Sequence, residues 1–398
     1  MAGIAEVQRY KASVHSISSI ENLASALGVS LSFLQEVLQI PDEDRYKKSE
    51  LPKSDGGIRT VYSPDYRVRL IQRRINKRIF SNSHVITWPD FLFGSIPNHR
   101  DKYGQEVTKD HIACAASHCG AKSLLKLDVK NFFDNVHGDI VYGVFKDLLK
   151  YPDEVSRALT NVCTFKSHLV QGALTSSYLA SLCLHDVETY VVDRLSRKGI
   201  VYTRFVDDIT LSSKISNFDF GFARGVVEQM LTAKDLPLNS GKSRTQYLSS
   251  EPLMVHGLRI CFNEPRLPAD EVRRIRASVK NIEVIANERG YRLTHAYRHD
   301  FNRCMGKVNK LARLRHTQHA ALVARLVKVY PLPSKRDISR AIQIIMRLER
   351  DAYSKASTYW YAKRFYMAHE RLNILKRSYP RITLLLRNRL RKLRPDYE

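Results

Sequence analysis

The chain has no closely spaced cysteine pair: Cys114, Cys119, Cys163, Cys183, Cys261 and Cys304 are scattered, without a CxxC among them. This argues against a zinc module and a disulfide framework, and it suits a reducing cytosol, so a cytoplasmic location is expected. No run approaches the ~18 consecutive apolar residues that a membrane helix needs. The opening MAGIAEVQRYKASVH lacks the apolar stretch of a secretory signal, so neither export nor a membrane partner is expected. There is no repeat period and no low-complexity tract, which excludes solenoid architectures. Acidic residues are few beside basic ones: 40 Asp plus Glu against 65 Lys plus Arg, a net charge of +25. A field of that size favours a polyanion, and nucleic acid is the usual one. Ribosomal and membrane-surface proteins share this balance, so charge alone does not identify an enzyme.

What is present fits a globular protein. A length of 398 residues, 43% hydrophobic and 26% charged, allows a large core and two or three subdomains. Ile17, Ile20, Leu23 and Leu27, then Leu31, Leu34, Val37 and Leu38, recur at helical spacing, with Ser19 and Ser30 placed as caps. LPKSDGGIRTVYSP (51–64) reads as two short strands around a Gly-Gly turn, and 66–80 as a basic amphipathic helix. Strand character at 123–129 is followed by helix character at 139–150 and 173–196, a hairpin at 201–213 and a helix at 219–235. From Pro268 onward the chain is mostly helical and basic, with PLP at 331–333 as a linker. The expected class is mixed α/β (α+β), with an α-helical C-terminal third.

VYTRFVDDITLSS places two adjacent acids, Asp207 and Asp208, between β-forming residues, hence at a hairpin tip. They repel each other unless something cationic binds. A solvated turn is the plain alternative; half of a divalent-metal site is the sharper one. The other half would be Asp128, closing the apolar run LLKLDV, where a strand-end ion pair is the alternative. Oxygen-only ligands suit Mg²⁺, and two such ions can activate a 3′-hydroxyl and stabilise leaving pyrophosphate.

The stretches LKLDVKNFFDNV (125–136), VQGALTSSYLASL (170–182) and YTRFVDDITLSS (202–213) resemble polymerase motifs A, B and C of reverse transcriptases, in order and spacing. PKSDGGIRTVYSP resembles their fingers motif and LNSGKSRTQ their motif D lysine segment. VHGLRI and CAASH (114–118) resemble the V-T-G and N-A-x-x-H elements of bacterial retron enzymes, and the likeness runs from about residue 17 to about residue 325. Departures are Phe205-Val206 where Tyr-Ala is commoner, Val170, Leu174 and Ser177 where prolines are usual, Cys114 for Asn and His256 for Thr. None removes a metal ligand.

The resemblance implies a right-hand polymerase: an N-terminal helical region (1–50), fingers and an antiparallel palm sheet (51–265), a helical thumb (266–330) and a basic helical extension (331–398). It implies that Asp128, Asp207 and Asp208 bind two Mg²⁺ ions, with Mn²⁺ as a substitute, and that Lys242 donates a proton to pyrophosphate. Lys53 and Arg59 would hold the triphosphate, Phe133 would exclude a ribose 2′-hydroxyl, and Gln171 and Gly172 would meet nucleotide and template. The implied partners are a cognate structured non-coding RNA, its DNA product and dNTPs, with antiphage defence as the setting; an effector protein and a homo-oligomer stay open. Protein-primed or weakly templated synthesis is the alternative within the enzymes, and a non-catalytic RNA-binding scaffold the alternative outside them. A group II intron maturase is disfavoured by the absence of a C-terminal Cys/His nuclease pattern. Positions 331–398 carry 17 Lys/Arg against 6 Asp/Glu. Within them TYWYAKRFY reads either as rings and cations set for bases and phosphates, or as an amphipathic helix burying Trp360 and Tyr366.

Overall fold

The computed structural model describes residues 10–13, 16–52, 56–100 and 103–397, so Lys53 lies outside the described residues. The chain divides into two compact units, Met1–Arg266 and Leu267–Glu398.

The first unit opens with α1 (Ile20–Leu27) and α2 (Leu31–Leu38), started by Ser19 and Ser30, whose hydroxyls accept the amides of Asn22 and Phe33. After the short α3 (Asp42–Arg45), β1 (Tyr46–Pro52) and β2 (Ile58–Pro64) pair as an antiparallel hairpin. α4 (Tyr66–Ile75) is basic outside and buries Val68, Ile71 and Ile75; it continues as a π-helical turn to Phe80. Leu23, Leu27 and Leu34 share one core with Ile71, Phe145, Leu159 and Leu211, so the N-terminal helices are built into this unit.

Short strands β3 (Leu92–Phe93), β4 (His99–Arg100) and β5 (Glu106–Val107) lead to α5 (His111–Ala116) and the central strand β6 (Ser123–Asp128). β6 is buried on both faces, which explains its nearly continuous apolar run. Helices α6 (Phe132–Asn135), α7 (Gly138–Gly143), α8 (Asp153–Cys163), α9 (Ser176–Leu182) and α10 (Glu188–Ser196) follow. The single helix expected over 173–196 is therefore two, because the chain turns at 183–187. The hairpin β7 (Val201–Phe205) and β8 (Asp208–Ser213), then α11 (Gly221–Thr232), β9 (Arg244–Tyr247), β10 (Met254–Val255) and β11 (Leu258–Arg259), complete the unit. One five-stranded sheet runs in the order β3-β7-β8-β6-β9. It is antiparallel except at β3, which pairs parallel to β7. The two strands are far apart in sequence, so no hairpin dictates their sense.

The second unit is helical: α12 (Ala269–Ala286), α13 (His295–Arg313), α14 (His319–Lys328), α15 (Lys335–Lys355), α16 (Tyr359–Leu375) and α17 (Pro380–Arg391). The PLP segment is no loose linker. Pro331 and Pro333 are buried, Leu332 donates its amide to Arg292 O at 2.9 Å, and Arg377 donates to Pro331 O at 2.8 Å. α15, α16 and α17 enclose Ile345, Leu348, Tyr361, Phe365, Leu372 and Leu390. Tyr361 and Phe365 thus fill the places that the amphipathic alternative gave to Trp360 and Tyr366, which stand 65% and 62% exposed with Lys363 over the Trp360 ring. With rings at five positions, Tyr359, Trp360, Tyr361, Phe365 and Tyr366, within about two turns, hydrophobicity cannot choose the inward face. Among the described residues no helix is long and apolar enough to cross a membrane.

Leu372→Ala, emptying a fully buried site, should lower stability by about 2–5 kcal/mol in urea unfolding. Tyr353→Ala, at a fully exposed ring, should stay within about 0.5 kcal/mol. Equal losses would contradict this placement of the core.

Candidate active site

Three acidic residues from two distant stretches lie at one end of the sheet. β6 and β8 pair in a register that sets Asp128 opposite Asp208 and Leu127 opposite Ile209. Directly opposed residues of an antiparallel pair point to the same face, so both acids share the face that also carries Lys126 and Thr210. Asp207 sits in the β7–β8 turn, and its carbonyl accepts the Val129 amide at 3.1 Å, tying the turn to the end of β6. The leucines of β6 and β8 hold this register, because a slip of one residue would exchange the face of Leu125, Leu127, Ile209 and Leu211 with that of Lys126, Asp128, Asp208 and Thr210.

Asp128 is 7% exposed and fully engaged. Asn239 Nδ2 donates to one carboxylate oxygen at 3.0 Å and Lys242 Nζ to the other at 3.1 Å. Asn239 also donates its amide to Asp128 O at 2.7 Å, which anchors the LNSGK loop to the strand end. Loss of hydration, then repulsion from Asp128, raises the Asp207 carboxyl above its ordinary range, and Lys242 and Arg59 partly offset this. Asp208 keeps solvent access along the rim. Even so, loss of hydration followed by the charges of Asp207 and Asp128 pushes its carboxyl up to about 6. Lys242 is held protonated by its bond to Asp128. As placed, no three His, Cys, Asp or Glu side chains among the described residues are gathered closely enough to hold a metal ion. The donor set nevertheless fits a hard cation: oxygen-only, crowded and electrostatically strained.

The other candidates surround this point unevenly. Arg59 is exposed on β2, within electrostatic reach of Asp207. Phe133 is half-buried on α6, its ring centroid 6.1 Å from that of Phe132. Gln171 O accepts the Tyr62 amide at 2.7 Å, joining the loop before α9 to β2. Gly172 has φ +108°, and a Cβ there would lie 2.2 Å from Tyr62 O. Its glycine requirement is therefore met first by the β2 backbone.

Sequence reading named some groups without a role and missed others. His118, from CAASH, is buried beneath the β7–β8 hairpin, with Nδ1 2.7 Å from Ser212 Oγ and Nε2 2.7 Å from Thr203 Oγ1. Burial, then the nearby His256 and Lys126, pushes its pKa down to about 3, so a neutral ring bridges the two hydroxyls. His256, from VHG, packs its ring 4.6 Å from that of Phe205. Nothing in the sequence alone marks Asn239, although it lies in the LNSGK segment with Lys242.

A family model described as reverse transcriptase (RNA-dependent DNA polymerase) matches residues 51–274. The chain is 46% identical over 371 residues to the Retron Ec48 reverse transcriptase of Escherichia coli, covering 93% of this chain and 90% of that one. It is 29% identical over 331 residues to the Retron Se72 reverse transcriptase of Salmonella heidelberg, covering 81% and 83%. Among solved structures it is similar to telomerase from Candida albicans, with a TM-score of 0.40 and 9% identity over 89% of this chain and 67% of that one. That structural likeness is too slight to support an inference.

The strain at Asp208 has a pH signature. A carboxyl raised from near 3.8 to about 6 holds its proton more tightly when folded. Between those values the folded protein binds more protons, so stability falls as pH rises, and above them the full penalty stands. In EDTA, Asp208→Asn should therefore raise the thermal midpoint at about pH 7.5, with the gain fading towards about pH 4. A gain independent of pH would contradict the assignment.

Proposed function

The chain belongs to the retron-type reverse transcriptases, and on that premise we propose that it copies a cognate structured non-coding RNA into DNA by two-metal nucleotidyl transfer, in the service of antiphage defence. RNA-directed DNA polymerase activity comes with the family. The template, the ions and the defensive role are the proposal.

The observation that carries it is the register that sets Asp128 opposite Asp208 beside the Asp207 turn. These three residues would hold Mg²⁺, or Mn²⁺ in its place, and the bound ions would supply activation of the primer 3′-hydroxyl and charge stabilisation on the triphosphate. The protein's own groups do the rest. The Asp128 carboxylate is presented with Asn239 fixing one of its oxygens. Lys242, protonated and 66% exposed, swings from Asp128 to hold a proton for the departing pyrophosphate. Arg59 brings its planar fork to phosphate oxygens from the β1–β2 hairpin, and the sequence motif assigns Lys53 to the same triphosphate. Phe133 fills the space that a ribose 2′-hydroxyl would need, and the Gln171–Gly172 loop, moored to Tyr62, lines the nucleotide and template side.

In this reading the β1–β2 hairpin belongs to the fingers and the five-stranded sheet is the palm. α12 to α14 form the thumb and α15 to α17 the basic extension. The exposed Trp360 and Tyr366 and the surplus of Lys and Arg support an RNA-facing role for that extension. The setting is a reducing cytosol.

Asp207→Ala with Asp208→Ala removes several kcal/mol of transition-state stabilisation and should cut dNTP incorporation on an RNA template roughly a thousandfold. RNA-templated synthesis at the wild-type rate in that variant would overturn the reading in favour of a scaffold. Phe133→Ala should relax discrimination against ribonucleotides about tenfold or more, read as the ratio of kcat/KM values. Unchanged discrimination would return Phe133 to a packing role.

A further inference from the structure

The turn that presents Asp207 is strained at one residue. Val206 has φ +59°, in the left-handed region that a β-branched residue rarely enters. Such a conformation persists only where its surroundings over-determine it. Gly94 makes room on one side, since a Cβ there would come within 3.0 Å of Val206 Cγ2.

The other constraint comes from Arg204, two residues earlier on β7. Its side chain is 1% exposed, and it faces Glu188, at 0%, at the start of α10. Every guanidinium donor is used. Nε donates to Glu188 Oε1 at 2.5 Å, and Nη2 to Glu188 Oε2 at 2.6 Å and Ser181 O at 2.8 Å. Nη1 donates to Ala180 O at 3.1 Å and to Val206 O at 3.3 Å. Tyr202 donates its hydroxyl to Glu188 Oε1 at 2.7 Å. Ala180 and Ser181 lie in the last turn of α9, whose carbonyls lack helical partners because the chain turns at 183–187. A buried ion pair is a weak device for stability alone, because desolvating two charges is costly. This one reaches the carbonyl of the strained residue itself.

We propose that Arg204, keyed by Glu188, is a positioning residue for polymerisation: its planar fork locks the Phe205–Val206 backbone in the left-handed bend that delivers Asp207 beside Asp128. The inference rests on the polymerase reading of those acids. Lysine cannot replace the fork, having one nitrogen where five N–H groups in a fixed plane are used.

The test replaces the whole buried cluster with apolar groups, Arg204→Met, Glu188→Leu and Tyr202→Phe together, so that no charge is left unpaired. The full-length variant should fold, keep its affinity for an RNA template–DNA primer and keep its KM for dNTP. Its kcat should fall about a hundredfold, the scale of a small displacement of a catalytic group. Amide hydrogen exchange over residues 205–208 should accelerate, with exchange elsewhere in the sheet unchanged. Adding Val206→Gly, which accepts positive φ freely, should recover about a tenth of the wild-type kcat. A folded triple variant with unchanged kcat and unchanged exchange at 205–208 overturns the proposal, as does a loss that Val206→Gly does not recover. If the triple variant does not fold, Arg204→Lys carries the test: it keeps the charge beside Glu188 and should show the same faster exchange and lower kcat at unchanged dNTP KM. An Arg204→Lys protein indistinguishable from wild type in both overturns the proposal. Should the wild-type protein polymerise nothing, the polymerase reading fails, while the exchange measurement still judges the role of Arg204 in the turn.

Discussion

Two carboxylates set opposite each other across neighbouring strands are the constraint on which the rest of this protein depends. Like charges in that relation destabilise a sheet, and a third acid in the adjoining turn adds to the repulsion. The pairing survives because β6 and β8 are otherwise almost wholly buried. The hydrophobic contacts of Leu125, Leu127, Ile209 and Leu211 fix a register that electrostatics would reject. Crowding three acids at one strand end leaves a repulsion that a cation would relieve.

The neighbourhood follows from that repulsion. Lys242 and Asn239 come from the loop before β9 to satisfy Asp128. Lys126 shares the face of Asp128 and Asp208, although burial lowers its own pKa. Beneath the hairpin, neutral His118 joins Thr203 of β7 to Ser212 of β8 without adding charge. On the opposite face Arg204 reaches the backbone of the turn. The hairpin is thus fixed from both sides while its tip carries the strain, the arrangement expected where a backbone outlier serves function.

Much of this was legible in the sequence where the determinants are local. Ser19 and Ser30 act through amides three residues away, so their capping roles could be read directly. The hairpin around Asp207-Asp208 and the apolar strand ending at Asp128 follow from patterns a few residues long, and the ordered motifs tied them into one site. What could not be read depends on partners remote in sequence. Nothing near Arg204 announces Glu188, nothing near His118 announces Ser212, and the break between α9 and α10 serves a guanidinium that arrives some twenty residues later. PLP reads as a linker because proline ends helices, but its burial comes from Arg292 and Arg377 on other elements. In α16 adjacent aromatics make every face apolar, so packing alone chose Tyr361 and Phe365. Lys53 lies outside the described residues.

The most direct test of the central claim is anomalous diffraction from crystals of the enzyme with template–primer, Mn²⁺ and a non-hydrolysable dNTP. The account predicts manganese peaks in contact with the carboxylates of Asp128 and Asp207, with Lys242 withdrawn from Asp128. A bound nucleotide with manganese absent from these side chains, or Asp128 still held by Lys242, would contradict it.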